Sequence, residues 1–200
     1  NHNGDPSLAH ELVEAAHLSG ADAVKFQKRD VNSLATTKML GQPELRFPSL
    51  GNTYKEVRSK LELSKSTYLD IKAHSHDLGL EFMVTPFDKP SLDFLIDVGV
   101  DSLKVASHSV ANPRLLRQIR ETGLPVYMSS GMVTLEELDS AMEVFDGYPS
   151  FTLMHCSSEY PTTHEGANLR VLPALRSRYG RDVGFSSHEL GDMHTLAAVS

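Results

Sequence analysis

The chain carries one cysteine, Cys156, and no tryptophan in 200 residues, and only 7% of it is aromatic. A single thiol excludes an internal disulfide framework and suits a reducing compartment. No window approaches ~20 uninterrupted apolar residues, so no membrane span is expected. Basic residues are also in short supply: 19 Lys and Arg stand against 26 Asp and Glu, for a net charge of −7. That excludes a broad cationic surface for nucleic acid or acidic membranes, so an anionic ligand must be met by a few local cations. No Gly-rich dinucleotide or Walker fingerprint follows any strand-like run, which disfavours a nucleotide-binding open sheet. No signal peptide is visible, and a cytoplasmic location is expected. What remains is 40% apolar and 22% charged, an ordinary globular composition with ample material for a core.

Short apolar runs alternate with amphipathic stretches along the whole chain. The strand-like runs are Ala23–Gln27, Leu80–Thr85, Ser102–Ala106, Pro125–Ser129, Phe151–Cys156 and Val183–Ser186. Each is almost wholly apolar, which predicts parallel strands buried on both faces. Helical stripes are expected at Leu8/Leu12/Ala15/Ala16, at Tyr68/Leu69/Ile71/Leu78 and at Leu115/Leu116/Ile119. Gly20, Gly79 and Gly123 stop them. Thr134 with Glu137 reads as a capping box ahead of Leu138, Met142 and Phe145. From the second run onward the starts fall at 80, 102, 125, 151 and 183, the separation that a strand plus a crossover helix requires. One irregularity interrupts the pattern: Lys28–Leu63 reads as a long polar insertion, an active-site cover or a mobile excursion. Six strands and about seven helices in alternation mean α/β. The fold class expected is a (β/α)8 TIM barrel, incomplete in this chain because the first and last strands would lie outside residues 1–200.

Polar residues gather just where the apolar runs end. Lys25 and Lys104 each finish such a run, where an ammonium is costly unless it meets an anion. The functional reading is a pair of cations holding phosphate or carboxylate, with Thr85, Ser107, Ser129 and Ser186 donating hydrogen bonds. The structural alternative pairs each lysine with a carboxylate such as Asp22, Asp88 or Asp101. Ser129-Ser130-Gly131-Met132 runs straight into a capped helix, where backbone donors also grip anions. His155 and His188 come from different strand ends and suit a divalent metal or acid–base work. Cys156 reads better as a small buried residue than as a nucleophile. Glu159-Tyr160-Pro161 either covers the site or forms a turn.

Eight motifs occur in order: Asn1-His2-Asn3-Gly4, Val24-Lys25-Phe26-Gln27, Thr85-Pro86-Phe87, Leu103-Lys104-Val105-Ala106-Ser107, Ser129-Ser130-Gly131-Met132, the segment from His155 to Pro161, Asn168-Leu169-Arg170 and Gly184-Phe185-Ser186-Ser187-His188. Together they resemble the catalytic barrel of the sialic acid synthase family. That resemblance implies a barrel that condenses phosphoenolpyruvate with N-acetylmannosamine, its 6-phosphate or a related aldose, and releases phosphate. It implies phosphoenolpyruvate binding by Lys25, Thr85, Lys104, Ser107, Ser129 and Ser186. It sets Gln27 and Tyr160 towards the sugar, with Ser158 at a position that is Asn in some members. Lys25, Lys104 and His188 become the catalytic residues, and His188 one of two histidine ligands to Mn2+ or Mg2+. It further implies a homodimer swapped through a small C-terminal domain like type III antifreeze protein. The chain departs from the family at Ser109, where members usually carry Glu or Asp, and at Ser187, usually Asp or Gly. Two other readings stay open on the residues: a different phosphate-handling barrel enzyme, such as a 3-deoxy-sugar-acid synthase or sugar-phosphate isomerase, and a non-catalytic barrel that binds a phosphorylated ligand.

Overall fold

The computed structural model describes all 200 residues and divides them into two compact units, Asn1–Ser102 and Leu103–Ser200. The first holds α1 (Pro6–Leu18), β1 (Ala23–Lys28), α2 (Val31–Leu34), α3 (Thr37–Leu40), α4 (Tyr54–Leu61), α5 (Lys65–Asp77), β2 (Glu81–Pro86) and α6 (Lys89–Val98). The second holds β3 (Ser102–Val105), α7 (Pro113–Glu121), β4 (Val126–Ser129), α8 (Leu135–Val144), β5 (Phe151–His155), α9 (Val171–Tyr179), β6 (Val183–Phe185) and α10 (Met193–Val199). Outside the run α2–α5 between β1 and β2 strand and helix alternate, and every strand starts within one residue of its expected position. No helix is long and apolar enough to cross a membrane.

In the first unit β1 pairs in parallel with β2, setting Lys25 beside Met83 and Gln27 beside Thr85. Successive side chains of a strand point to opposite faces. Phe26 is therefore buried beneath the helices while its neighbours Lys25 and Gln27 are exposed on the other face. Phe26, Tyr68, Phe82 and Phe94 pack edge to face or tilted, with ring centroids 5.2–6.5 Å apart.

In the second unit β3–β4, β4–β5 and β5–β6 pair in parallel, which aligns two kinds of row. Val105, Met128, Leu153 and Val183 form a row that is at most 4% exposed, and Leu116, Ile119 and Phe145 are fully buried as well. Lys104, Tyr127 and Thr152 form the row on the opposite face, and they are only half-buried. Burial on both faces was expected. The structure corrects this: one face is core, and the other is partly open and polar.

Three helical expectations also need adjustment. Gly20 does follow α1 at φ +75°, but Ala9 and Val13 are its buried residues, while Leu12 is exposed. In α5 Tyr68 and Ile71 are buried but Leu69 is not. The insertion folds into α2, α3 and α4, so the chain has ten α-helices instead of seven. Its ends are fastened together. Glu62 accepts 2.8 Å from the Lys28 ammonium and 3.2 Å from the Arg29 backbone N–H, all three side chains being nearly buried.

Candidate active site

Lys104 stands on the second unit's polar face, on β3. Its Nζ donates to Ser186 Oγ at 2.7 Å, and burial lowers its pKa below the ordinary lysine value, opposed in part by the Cys156 thiol. No carboxylate neutralises it. Of the carboxylates considered as structural partners, Asp88 caps α6 and accepts from the Asp30 N–H, and Asp101 accepts from the Phe82 N–H and His76. An ammonium held by a hydroxyl alone in partly desolvated surroundings has strong residual affinity for an anion.

Ser107 opens a short 3-10 turn, Ser107–Ser109, directly after the Lys104 strand. It is 8% exposed, yet its hydroxyl has no partner. Thr85 at the end of β2 is 1% exposed with an equally unpartnered Oγ1. Ser91 and Ser102 hydroxyls are unpartnered as well, but Thr85 and Ser107 stand at strand ends, where a ligand oxygen would satisfy them. Ser129 ends β4, where the next residue's N–H closes on Met154 O at 2.9 Å. Gly131 then lets the chain pass between two hydroxyls. A Cβ there would collide with Ser158 Oγ and lie 2.9 Å from both Ser107 Oγ and the Cys156 carbonyl. The motif drew attention to Gly131 only as a turn, and its close approach to Ser107 and Ser158 is visible in three dimensions alone. A cavity of about 340 Å3 lined by Gly131, Thr134, His155, Cys156 and Ser158 adjoins it.

The two strand-end histidines differ sharply. His155 shares its row with Phe185 on the helix-facing side, is 6% exposed, and Nε2 donates to the Ala167 carbonyl at 2.8 Å. It is a satisfied core histidine and not a ligand, which corrects one candidate. His188 is half-exposed. Its Nδ1 donates to the Ser157 carbonyl at 2.8 Å, which fixes the tautomer and leaves the Nε2 lone pair free. The exposed ring of Tyr160 lies 4.9 Å from the His188 ring, centroid to centroid. Cys156 is buried 3.9 Å from His188 Nδ1, but that nitrogen is committed to the carbonyl, so no base is directed at the thiol. Glu159 accepts from the Thr163 N–H and hydroxyl and serves the turn. No group of three or more His, Cys, Asp or Glu side chains is arranged to hold a metal ion. Ser109 is buried in the 3-10 turn.

In the first unit Gln27 and Thr85 are lateral neighbours, as expected of strand-end groups sharing one face. Lys25 ends on that face too, but its side chain is exposed. The premise that it lies buried beside a core is therefore corrected. Sequence reasoning overlooked Arg29, two residues beyond Gln27. Its guanidinium partners lie in the insertion and after β2, so no local pattern announces it.

Parallel strands with helical crossovers, and hydroxyls and a carboxylate-free lysine at their carboxyl ends, define an α/β protein with polar groups gathered at its strand ends. The comparisons are specific. The NeuB family model matches residues 12–200, and the chain belongs to that family. It is 37% identical to N,N'-diacetyllegionaminic acid synthase of Legionella pneumophila, covering all of this chain and 58% of that protein. It is 33% identical to N-acetylneuraminate-9-phosphate synthase of Drosophila melanogaster, covering 54% of that protein. The crystal structure of N-acetylneuraminic acid (sialic acid) synthetase from Leptospira borgpetersenii in complex with citrate superposes with a TM-score of 0.84 at 32% identity, over all of this chain and 66% of that one. The chain thus spans between half and two-thirds of the length of these relatives.

Proposed function

We propose that residues 1–200 are part of the catalytic barrel domain, an incomplete (β/α)8 fold, of a nonulosonic acid synthase. The enzyme condenses phosphoenolpyruvate with N-acetylmannosamine or a related aldose and releases phosphate. The single observation that carries this reading is Lys104: a half-buried ammonium with a hydroxyl for its partner and no carboxylate. The orphaned Ser107 and Thr85 hydroxyls support it, as do relatives named as synthases of legionaminic and neuraminic acids.

In this reading Lys104 and Lys25 neutralise the phosphate and carboxylate of the enol ester, and Thr85, Ser107, Ser129 and Ser186 donate to their oxygens. Gln27, Ser158 and Tyr160 receive the sugar. C3 of the enol attacks the aldehyde carbon, whose oxygen takes a proton. Water adds at C2, and the tetrahedral carbon then expels inorganic phosphate to leave the 2-keto acid. Much of the rate comes from holding two reactants together in fixed charge surroundings. A divalent ion, Mn2+ or Mg2+, supplies Lewis-acid polarisation of the aldehyde when bound. His188, with Nε2 free, fits as one of its ligands. The same reading extends to a cytoplasmic homodimer joined through a further C-terminal domain.

The test is phosphate release by the whole enzyme from phosphoenolpyruvate with a panel of 2-acetamido aldoses, manganese present. Release that depends on one of these sugars is expected. Isomerisation of a sugar phosphate without phosphoenolpyruvate, or binding of phosphoenolpyruvate with no turnover on any sugar, overturns the assignment.

A further inference from the structure

Just beyond the end of β1, Gln27 of the expected site joins a side-chain relay through Arg29 that the sequence reading does not include. Arg29 NH2 donates to Gln27 Oε1 at 2.6 Å. The guanidinium carbon lies 4.0 Å from the centroid of the Phe87 ring, so the fork is laid against an aromatic face. Its NH1 is 3.7 Å from Glu62 Oε1, and the Arg29 backbone N–H donates to the other Glu62 oxygen at 3.2 Å. Lys28 Nζ donates to that same oxygen at 2.8 Å. The Gln27 backbone is fixed too, because the buried Tyr68 hydroxyl donates to its carbonyl at 2.7 Å.

A primary amide can present either its oxygen or its NH2, and the neighbours decide which. Arginine has donors and no acceptor. Its bond to Gln27 therefore holds the amide oxygen inward and turns both N–H donors of Nε2 outward from the exposed side chain. We propose that Arg29 is a positioning residue: braced by Phe87 and Glu62, it sets the amide of Gln27 as a donor, so that the site selects an acceptor oxygen, hydroxyl or acetamido carbonyl, on the aldose. This rests on the sugar-side reading of Gln27 given above. A flexible lysine in place of Arg29 keeps the charge opposite Glu62 but loses the planar fork that fixes the amide.

The test is steady-state kinetics on the whole enzyme, with phosphoenolpyruvate and aldose varied separately. Arg29→Met is expected to raise KM for the aldose about three- to tenfold, the worth of one hydrogen bond. The KM for phosphoenolpyruvate stays within about twofold. Arg29→Lys, which retains the charge and so guards against simple misfolding, shows the same selective rise in smaller degree. Gln27→Glu, still bonded to Arg29 but without donors, raises the aldose KM as much as Gln27→Ala. In a Gln27→Ala background, Arg29→Met adds nothing. If Gln27→Ala leaves the aldose KM unchanged, the sugar-side reading of Gln27 falls, and this proposal with it. If Gln27→Ala raises that KM but Arg29→Met multiplies it equally in both backgrounds, or raises both KM values together, only the positioning role is overturned.

Discussion

A lysine held partly out of water gives up its proton at lower pH than one in solvent, and Lys104 meets this condition. Two consequences carry opposite signs. Its folded pKa lies below its unfolded value, so stability increases as pH rises through the interval between them, and below that interval the buried charge is a cost. Anion binding, in contrast, needs the charged form. The affinity for phosphoenolpyruvate is thus expected to fall as pH climbs through the lowered Lys104 pKa, where a solvent lysine is still charged. The ligand's second phosphate ionisation, near pH 6, is complete by then and does not contribute. Lys104→Arg, charged at every accessible pH, flattens that alkaline limb, and Lys104→Met abolishes tight binding while raising the melting temperature at neutral pH. Calorimetric titration across the alkaline range checks this. An affinity for the native protein that stays constant to the pH where ordinary lysines titrate removes Lys104 from the site. Lys104 was legible in the sequence because a cation at the end of an apolar run is conspicuous. Lys25 looked the same, and alternation puts both lysines on the face away from the core, but Lys25 is exposed where Lys104 is half-buried and held by Ser186.

At the scale of elements, strands were easier to read than helices or the insertion. Each strand is an apolar run closed by polar turn residues, and those borders survive folding. The α1 stripe is misplaced because bulk was read as burial. Ala9 and Val13 face inward, where small side chains let the helix pack closely, and Leu12 covers surface. The insertion reads as a loop because α2 and α3 have four residues each and α4 eight, too few to display a period. Caps at Asp30, Thr36 and Thr53 mark these helices locally. Short helices of this length do not hold alone. Val31, Leu40, Val57 and Leu63 give them a small core, and Glu62 clips the two ends together. Removing that carboxylate leaves Lys28 and Arg29 nearly buried without a counter-charge, a loss of about 3 kcal/mol. Glu62→Ala is therefore expected to lower the melting temperature and to open residues 41–53 to proteolysis, and Glu62→Gln, which keeps an acceptor oxygen, falls between. Native-like protease resistance in Glu62→Ala shows that the insertion holds without its clip.

For the whole molecule, net charge works against the function proposed. At −7 the chain repels a phosphorylated carboxylate at long range. At physiological salt the Debye length is about 8 Å, so that repulsion fades and only groups in contact with the ligand decide binding. The order of motifs could reveal family and fold because both are written along the chain. The unpartnered hydroxyls of Thr85 and Ser107, the missing carboxylate at Lys104 and the tautomer of His188 depend on residues far apart in the chain, so no local pattern announces them. If contact groups alone carry affinity, a ligand that fits them must stabilise the fold by mass action where a generic anion does not. At a hundredfold excess over Kd the gain is about 2.7 kcal/mol, which in a chain of this size is roughly 5–10 °C in melting temperature. Phosphoenolpyruvate is expected to produce such a shift in the native protein and none in Lys104→Ala, with sulfate at matched ionic strength giving little in either. An equal shift from sulfate, or one that survives Lys104→Ala, assigns the effect to general anion exclusion and leaves no built site at the ends of these strands.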